Sequence, residues 1–361
     1  MMADQAGQGR RRTSRLTSAM THARARADAN TVLLLFVLAS TPAMLVSAWS
    51  AGQQMLLHNP ASSGWRWQLL HASGLSISAD EWMSCLLLGL THILPVLAVA
   101  LLVSLFWALV FARYRSRSVD PGWAMVAWIY VLLLPVDLSP SLAAVGMTFA
   151  AVLGQHIFGG TGRYIVSPAV LGALFVQFSY PGAGQVSNAG SWVVVAATGA
   201  AGEATQLLPE MVTAASNSGA VPMVVACAVG AALLARAGVV SLRTMLGAAL
   251  GIALLAMLAA SVGDSPIAKL AWHWHLALGS LPICLAFVIT DPTTLPLSRG
   301  GRWIHGLLFA LIVMAIRVLD PTHPDGSMFA VLLATLSVPL IDYLVLRRHV
   351  ARTAGRLELR V

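Results

Sequence analysis

The sequence predicts an all-α, polytopic integral membrane protein, and three observations support this class. Apolar residues make up 58% of the 361-residue chain and charged residues only 10%, with a mean hydropathy of +0.78. Soluble domains carry roughly 25% charged residues. Apolar runs recur from about residue 31 to 346, and no polar stretch between them is long enough to fold separately. Because lipid offers no partner to free backbone groups, such runs are expected to be helices.

About ten runs are predicted to cross the membrane, and several of them are short or interrupted by proline. A bilayer core of about 30 Å needs around 20 helical residues per crossing. The predicted spans are residues 31–49, 84–112, 122–136, 139–154, 165–180, 221–237, 241–262, 272–290, 303–319 and 327–346. They form a single membrane domain, residues 31–346, with predicted extracytoplasmic loops at about residues 50–83 and 181–220.

The basic residues predict that both termini lie in the cytoplasm. With ten spans, 19 of the 22 Lys and Arg residues fall on the inner side, and the exceptions are Arg66, Lys269 and Arg317. Residues 1–30 and 347–361 then form basic cytoplasmic tails. Juxtamembrane arginines favour anionic lipid, so the net charge of +8 does not require a nucleic acid partner. The segment RRRTSRL can also be interpreted as a twin-arginine export signal, but a basic tail before a first span is simpler.

Several kinds of chemistry are not indicated. The three cysteines, Cys85, Cys227 and Cys284, lie in or beside apolar runs and lack a CxxC or Cys/His spacing, so we predict neither disulfides nor a metal site. The chain has no P-loop and no GxGxxG between a strand and a helix. These absences exclude a P-loop nucleotide triphosphatase and give no indication of a dinucleotide site in this chain.

The stretch FGGTGR, residues 158–163, lies in a predicted cytoplasmic turn between two short spans. Its glycines allow the backbone to approach a phosphate or a ring system closely. The flanking spans contain Pro140, Ser167 and Pro168, and interrupted spans are a common indication of a binding site within a membrane. The residues alone are equally consistent with a tight turn and with a site.

Two acidic residues lie at the predicted inner ends of spans, Asp291 in ITDPTTLP and Asp342 in PLIDYLVLRR. Ionisable groups at membrane depth are functional candidates by default. The alternatives are structural: Asp291 could close a turn before Pro292, and Asp342 could pair with Arg347 or Arg348.

The histidines are a third candidate set. His273 and His275 in AWHWHLALG, residues 271–279, are two residues apart and would point to different sides of a helix. His92 is the other histidine placed well inside a span. A haem needs axial ligands on facing helices, whereas mixed aromatic and histidine residues are typical of an interfacial belt.

Four stretches carry a family resemblance. They are AGQQ at 51–54, FGGTGRYIVSPAVLGALFVQFSYP at 158–181, AWHWHLALG at 271–279, and residues 289–343, from ITDPTTLP to PLIDY. In this order they resemble the NqrB/RnfD family, which comprises membrane subunits of the sodium-translocating NADH:quinone oxidoreductase (NqrB) and of the Rnf complex (RnfD). AGQQ and WHWHLALG are more similar to NqrB, and the likeness spans about residues 21 to 350.

The resemblance implies a ten-helix subunit of a redox complex in the bacterial cytoplasmic (inner) membrane. Other membrane redox subunits and a flavin transferase would be its partners. Family members carry FMN joined by a phosphoester to a threonine in an extracytoplasmic loop, which corresponds here to Thr205. The FGGTGR loop is implied in binding quinone, or a flavin such as riboflavin, through Gly159, Gly160, Thr161 and Arg163. Asp291 and Asp342 are the implied ion path.

The stretch GAAGEATQL, residues 199–207, departs from the family pattern around Thr205. Where the family reads Ser-Gly-Ala-Thr, this chain reads Gly-Glu-Ala-Thr, and Gly199 replaces an upstream acidic residue. The acceptor hydroxyl is retained, although Glu203 places a negative charge close to the expected phosphate. His156 also departs, since NqrB usually has an acidic residue there.

The resemblance predicts electron transfer through FMN towards quinone, with Na⁺ or H⁺ compensating the charge near Asp291 and Asp342. The flavin supplies the redox chemistry and the protein supplies position and electrostatics. Two alternatives use the same scaffold: a transporter of small solutes or ions, and a structural membrane subunit that has lost its flavin site.

Overall fold

A computed structural model describes residues 29–58, 65–72, 74, 78–136, 138–180, 219–263, 267–319 and 326–358. Within these residues all regular structure is helical, as the composition predicted. The α-helices in chain order are α1 (Ala29–His58), α2 (Trp65–Ala72), α3 (Trp82–Arg115), α4 (Trp123–Leu133), α5 (Pro140–Phe149), α6 (Pro168–Ser179), α7 (Ala220–Arg236), α8 (Leu242–Val262), α9 (Trp272–Ala277), α10 (Leu281–Ile283), α11 (Arg299–Leu319), α12 (Ser327–Leu336) and α13 (Val338–Glu358).

In the described part of the chain, four helices are long and apolar enough to cross a membrane: α1, α3, α8 and α11. Helices α12 and α13 meet at a bend of 41° and together make up a fifth candidate span. Helices α4, α6 and α7 are apolar but shorter. This architecture fits an integral membrane protein, while the number of ten spans and the location of the termini stay predictions.

The shortest predicted spans are only partly helical. Helix α4 has 11 residues and α6 has 12, so at 1.5 Å per residue each is roughly 16 to 18 Å long, well below the bilayer core. Helices α5 and α6 each begin at a proline, which has no N–H to leave unpaired in the first turn. The predicted span 272–290 is broken after α9, because Leu278 has an extended backbone.

Two helices of the bundle continue as π-helical segments. Segment π1 (Ala150–His156) continues α5, and segment π2 (Cys284–Val288) continues α10. Segment π1 ends two residues before the start of the FGGTGR stretch, and π2 ends three residues before Asp291. Since π-helical turns are rare and occur frequently at functional sites, their positions draw attention to the loops that follow them.

Helix α1 continues past residue 49, the predicted end of the first span, and its last turns contain AGQQ. It packs closely on α3 because glycines lie where the two backbones meet: Gly52 faces the carbonyl oxygen of Cys85, and Gly89 faces that of Ala48. The indole of Trp128 on α4 donates to Ser40 Oγ on α1 at 3.0 Å. Small residues and interhelical hydrogen bonds are the usual means of joining helices in lipid.

Arg317, one of the three basic residues outside the predicted inner side, is fully buried in α11. Its guanidinium donates to the carbonyl oxygens of His275 at 2.6 Å and of Leu278 at 3.0 Å, where α9 ends. These carbonyls have no further helical turn to bond to. Arg317 therefore fastens the break in the 272–290 segment to α11.

Candidate functional site

Three loops meet at one end of the helix bundle, and they contain most of the residues singled out in the sequence. We call them the Asp120 turn (residues 116–122), the glycine loop (158–163) and the Asp291 loop (289–298). The Asp120 turn follows α3, the glycine loop follows π1, and the Asp291 loop joins π2 to α11. The first two are joined by hydrogen bonds of Asp120, and Tyr164, directly after the glycine loop, reaches the third.

Asp120 anchors the glycine loop. Its Oδ2 accepts hydrogen bonds from the backbone N–H of Thr161 at 2.7 Å and from Nε2 of Gln155 at 3.0 Å. A Cβ added to Gly160 would lie 2.6 Å from the same oxygen, and Gly160 has a φ of +96°. Only glycine allows this approach without strain. Asp120 could not be found from the sequence, because nothing in RSRSVDPG indicates a contact with a loop about 40 residues later.

The backbone N–H groups of the glycine loop are largely used within the protein. The N–H of Gly159 donates to the carbonyl of His156, that of Gly160 to Gln155, and that of Arg163 to Gly160. The N–H of Thr161 is bound to the Asp120 carboxylate. A phosphate site needs free N–H groups and no adjacent anion. The loop is therefore poorly suited to phosphate. A tight turn and a site for a neutral ring remain the two alternatives.

The last two residues of π1 hold the start of the glycine loop in place. Gln155 and His156 are buried, and Arg115 donates from Nη2 to the His156 carbonyl oxygen at 2.6 Å. The His156 ring stacks on Phe111 with 4.9 Å between centroids, and the Arg115 guanidinium lies 5.2 Å from the Phe111 centroid. In the described residues, Oε1 of Gln155 and Nε2 of His156 have no hydrogen-bond partner. Most buried polar atoms in proteins have such a partner, so these two are exceptions.

Apolar side chains are exposed at the start of the glycine loop and directly before it. Leu153, Ile157 and Phe158 are 39%, 51% and 47% exposed. They lie on the last turn of π1 and the first residues after it. In a membrane protein, an exposed apolar surface of this kind is suited to contact with lipid or with a lipid-soluble molecule.

Asp291 is the most buried carboxylate of the site, with only 5% of its surface exposed. Oδ1 accepts from the backbone N–H of Thr293 at 2.9 Å and from its hydroxyl at 2.7 Å, and Oδ2 accepts from the Tyr164 hydroxyl at 3.3 Å. Burial raises the pKa of Asp291 above the usual range, while the hydrogen bonds of Thr293 and Tyr164 oppose that shift. The turn before Pro292 is present, as one structural alternative expected, but a turn alone does not explain the burial or the contact with Tyr164.

Asp342 is bonded to the other end of the same loop. Its two carboxylate oxygens accept the backbone N–H of Leu297 at 3.2 and 3.3 Å. The Asp291 loop is further held by Arg302, whose Nε donates to the Pro296 carbonyl at 3.1 Å. Asp342 on α13 and Asp291 are thus attached to one short loop, 289–298. Their proposed ion path would run along it.

The remaining predicted site residues lie outside the described residues, at the surface or in the core. Thr205 lies outside the residues that the structure describes, as do Gly199 and Glu203. Arg163 is exposed, and its proposed role in binding quinone or flavin stays a prediction. His275 is fully buried whereas His273 is exposed, so the two point to different sides as expected.

Tyr164 is the second functional candidate that the sequence did not reveal. The one available signal was its position next to FGGTGR, since its partner Asp291 lies 127 residues further along the chain. Thr293 was also missed, although it stands two residues after Asp291 in the quoted ITDPTTLP.

The fold and the site define a class: a helical integral membrane protein with interrupted spans, a glycine loop and a buried carboxylate at one end of the bundle. Comparison with known families gives the particular assignment. Residues 16–351 match the NQR2, RnfD, RnfE family. The chain belongs to this family, as the sequence resemblance predicted.

Curated bacterial proteins show the same similarity over nearly the whole chain. The NqrB subunit of the Na(+)-translocating NADH-quinone reductase of Chromohalobacter salexigens is 32% identical over 94% of this chain and 87% of its own length. The corresponding subunits from Azotobacter vinelandii and Pseudomonas aeruginosa strain LESB58 are each 30% identical over 96% of this chain and 91% of their own length. These relatives are similar to the chain along almost all of its length.

Proposed function

We propose that this chain is the NqrB-type membrane subunit of a Na⁺-translocating NADH:quinone reductase, located in a bacterial inner membrane. The names and the coverage of the relatives support the proposal. Other redox subunits of the complex would supply electrons from NADH. The chain passes them towards quinone and couples this transfer to movement of Na⁺ or H⁺.

The observation that carries the proposal is the contact between the glycine loop and the Asp291 loop. A redox-driven ion pump needs its electron acceptor site and its ion site to be physically connected. Here Tyr164 follows the glycine loop directly and bonds to Asp291, while Leu297 in the Asp291 loop bonds to Asp342. The candidate quinone site and both candidate ion-path carboxylates therefore belong to one connected structure.

The glycine loop is the proposed quinone site. A quinone head group is flat and neutral, so it suits a loop whose N–H groups are occupied and which is anchored by a carboxylate. Positive φ angles at Gly159 and Gly160 keep side chains away from the backbone that the ring would approach. The exposed surface of Leu153, Ile157 and Phe158 provides the route from lipid.

The Asp291 loop is the proposed ion site. Oxygen ligands, carboxylate above all, are what hard cations prefer. The Thr293 hydroxyl is bonded to the Asp291 carboxylate, and the buried Thr294 hydroxyl donates to the Asp291 carbonyl. Its negative charge is compensated by hydrogen bonds alone in the described residues, so a cation or a proton is the natural counter-charge.

Thr205 is the proposed attachment residue for FMN, which a flavin transferase would install. Its hydroxyl is the only group that a phosphoester requires from the protein. FMN supplies one-electron redox chemistry when bound. This part of the proposal rests on the sequence.

We predict that Thr205→Ala removes covalent flavin without unfolding the subunit. The complex should lose the fluorescent flavin band of this subunit in a denaturing gel, and quinone reduction should fall at least tenfold. Peptide mass spectrometry on the unsubstituted protein should find FMN on Thr205. A matched control is Thr213→Ala, a threonine in the same predicted long loop. An unmodified Thr205 peptide from a complex that still reduces quinone would contradict the flavin assignment.

We predict that Thr293→Val moves the acid limit of Na⁺-dependent activity to higher pH. Valine removes one hydrogen bond from the charged form of Asp291, which further raises its pKa. A carboxylate must be ionised to bind Na⁺, so activity is lost as the pH falls through that pKa. A hydrogen bond to a charged group contributes about 1.5 to 3 kcal/mol, and the shift should be about one to two pH units.

The measurement is quinone reduction by the assembled complex at limiting Na⁺ across the pH range. Thr290→Val is the control, because the Thr290 hydroxyl donates to the Ala286 carbonyl and not to Asp291. It should keep the unsubstituted pH profile. Equal shifts for both variants would show that Asp291 is not the titrating group.

A further inference from the structure

Tyr164 connects the glycine loop to the Asp291 loop. It is the first residue after the glycine loop and is only 6% exposed. Its hydroxyl donates to Oδ2 of Asp291 at 3.3 Å across 127 residues of sequence. A side chain that leaves one candidate site and ends on the carboxylate of the other is a mechanical connection between them.

The two oxygens of Asp291 have separate partners. Oδ1 is bound by the N–H and hydroxyl of Thr293, within its own turn. Oδ2 is bound by Tyr164, which follows the opposite loop. A cation or proton that takes Oδ2 therefore competes with the contact to the glycine loop and leaves the local turn intact.

The donor in this contact is fixed. Burial, followed by the charge of Asp291, raises the pKa of Tyr164 well above its ordinary value, so the phenol keeps its proton. Asp120 on the glycine-loop side acts on the pKa of Tyr164 in the same direction. Tyr164 thus lies between two carboxylates, and the side chains that act on the pKa of Asp291 are those of Thr293 and Tyr164. A change of charge at Asp291 alters the acceptor that holds Tyr164 in place.

The backbone of Tyr164 is tied to the quinone side. Three residues before it, the Thr161 N–H is held at 2.7 Å by Asp120. Between these two attachments lie only Gly162 and Arg163, and Gly162 has a φ of +83° with open space around it. The segment can change conformation there without displacing neighbouring side chains.

We propose that Tyr164 is the positioning residue that couples the occupancy of Asp291 by a cation to the conformation of the glycine loop. The inference rests on the proposed function, since it gives that function its connection between ion and quinone. Coupling of two sites is reciprocal: if the ion changes the affinity for quinone by some factor, quinone changes the affinity for the ion equally. Removing the Tyr164 hydroxyl should bring that factor close to one.

The first test measures the coupling factor in the assembled complex. The KM for quinone is determined at low and at saturating Na⁺, for the unsubstituted protein and for Tyr164→Phe. The expected result is a several-fold change of KM with Na⁺ that disappears in Tyr164→Phe, while the maximal rate at saturating Na⁺ falls much less. Tyr130→Phe is the matched control, because it removes another buried phenol hydroxyl, one bonded to the Ala143 carbonyl.

The second test does not depend on activity. A cysteine replaces the exposed Phe158 in the glycine loop, and its rate of maleimide labelling is followed with and without Na⁺. The native cysteines, Cys85, Cys227 and Cys284, are buried and give little background. The labelling rate should respond to Na⁺ in the Phe158→Cys protein and in the added Tyr130→Phe background. It should not respond when Tyr164→Phe or Asp291→Asn is added.

The outcomes separate the inference from the proposed function. A labelling response to Na⁺ that Tyr164→Phe abolishes supports the coupling even if the complex fails to reduce quinone. Quinone reduction with a Na⁺ response unchanged in Tyr164→Phe overturns the coupling and leaves the function standing. The coupling is also overturned if Na⁺ changes neither the labelling rate of the Phe158→Cys protein nor the KM for quinone of the unsubstituted protein. There is then no signal for Tyr164 to transmit.

Discussion

Valine in place of Gly89 should strongly destabilise the helix bundle. A side chain at Gly89 would run into the carbonyl of Ala48 on α1, and one at Gly52 would run into the carbonyl of Cys85 on α3. Backbone atoms cannot turn aside as a flexible side chain can. The two longest apolar helices would have to separate, and the contacts along their whole interface would weaken.

The expected size of this effect follows from the role of the interface. Overpacking in a close-packed interior costs about 1 to 3 kcal/mol and sometimes more. Whole domains are stable by only about 5 to 15 kcal/mol. Helices in lipid also associate through close packing, without the help of a hydrophobic driving force. Gly89→Val should therefore strongly reduce the yield of monodisperse subunit in detergent and lower its Tm by several degrees.

Gly300→Ala is the control for this prediction. Gly300 lies in the first turn of α11, and an added Cβ would have no heavy atom within 4 Å. Alanine favours helix over glycine by roughly 1 kcal/mol, so Tm should stay unchanged or rise. Gly52→Val should reproduce the defect of Gly89→Val. Equal Tm values for Gly89→Val and Gly300→Ala would show that α1 and α3 are not held together in this way.

The helical class could be predicted from the sequence, because mean hydropathy and the length of apolar runs report directly on burial in lipid. The positions at which helices end inside those runs could not be predicted from the sequence. Gly279 stands beside the break at Leu278, and Pro339 stands beside the bend at Ser337. However, Pro42 and Pro95 lie inside continuous helices, so a glycine or proline does not by itself locate a break. The π-helical turns were equally invisible, since their apolar composition is that of the adjoining α-helix. These breaks depend on tertiary contacts such as the pairing of Arg317 with the α9 carbonyls.

The candidate site could be predicted where its residues form one sequence motif, and could not where distant segments meet. The glycines at 159 and 160 stand out in the sequence because a cluster of glycines permits close approach to the backbone. Asp291 stands out because it is a carboxylate in apolar surroundings. Asp120 and Tyr164 acquire their importance from partners 41 and 127 residues away. Contacts between such distant residues cannot be inferred from a single sequence without its fold.

Alanine in place of Gly160 should lower kcat/KM for quinone reduction by about 100-fold, or about 2.8 kcal/mol at 1.4 kcal/mol per factor of ten. Two effects combine. A non-glycine residue at a φ of +96° is strained by about 1 to 2 kcal/mol. The new Cβ would also lie 2.6 Å from Asp120 Oδ2, so the carboxylate must leave the Thr161 N–H, a hydrogen bond of about 1.5 to 3 kcal/mol.

Gly162→Ala separates the two effects. Gly162 has a φ of +83°, so alanine there is strained in the same way, but its Cβ would meet nothing within 4 Å. It should lower kcat/KM by about tenfold, as strain of about 1.4 kcal/mol would. A defect in Gly162→Ala as large as that of Gly160→Ala would mean that backbone strain is the whole cause and that Asp120 has no part in it.

Asp120→Ala tests the anchor itself. If the defect of Gly160→Ala comes mainly from the lost contact between Asp120 and Thr161, then Asp120→Ala alone should reproduce most of it. The double variant should be little worse than either single one, because both remove the same interaction. Recovery of activity in the double variant would instead identify the steric clash as the cause. Full additivity would show that the two residues act independently on the glycine loop.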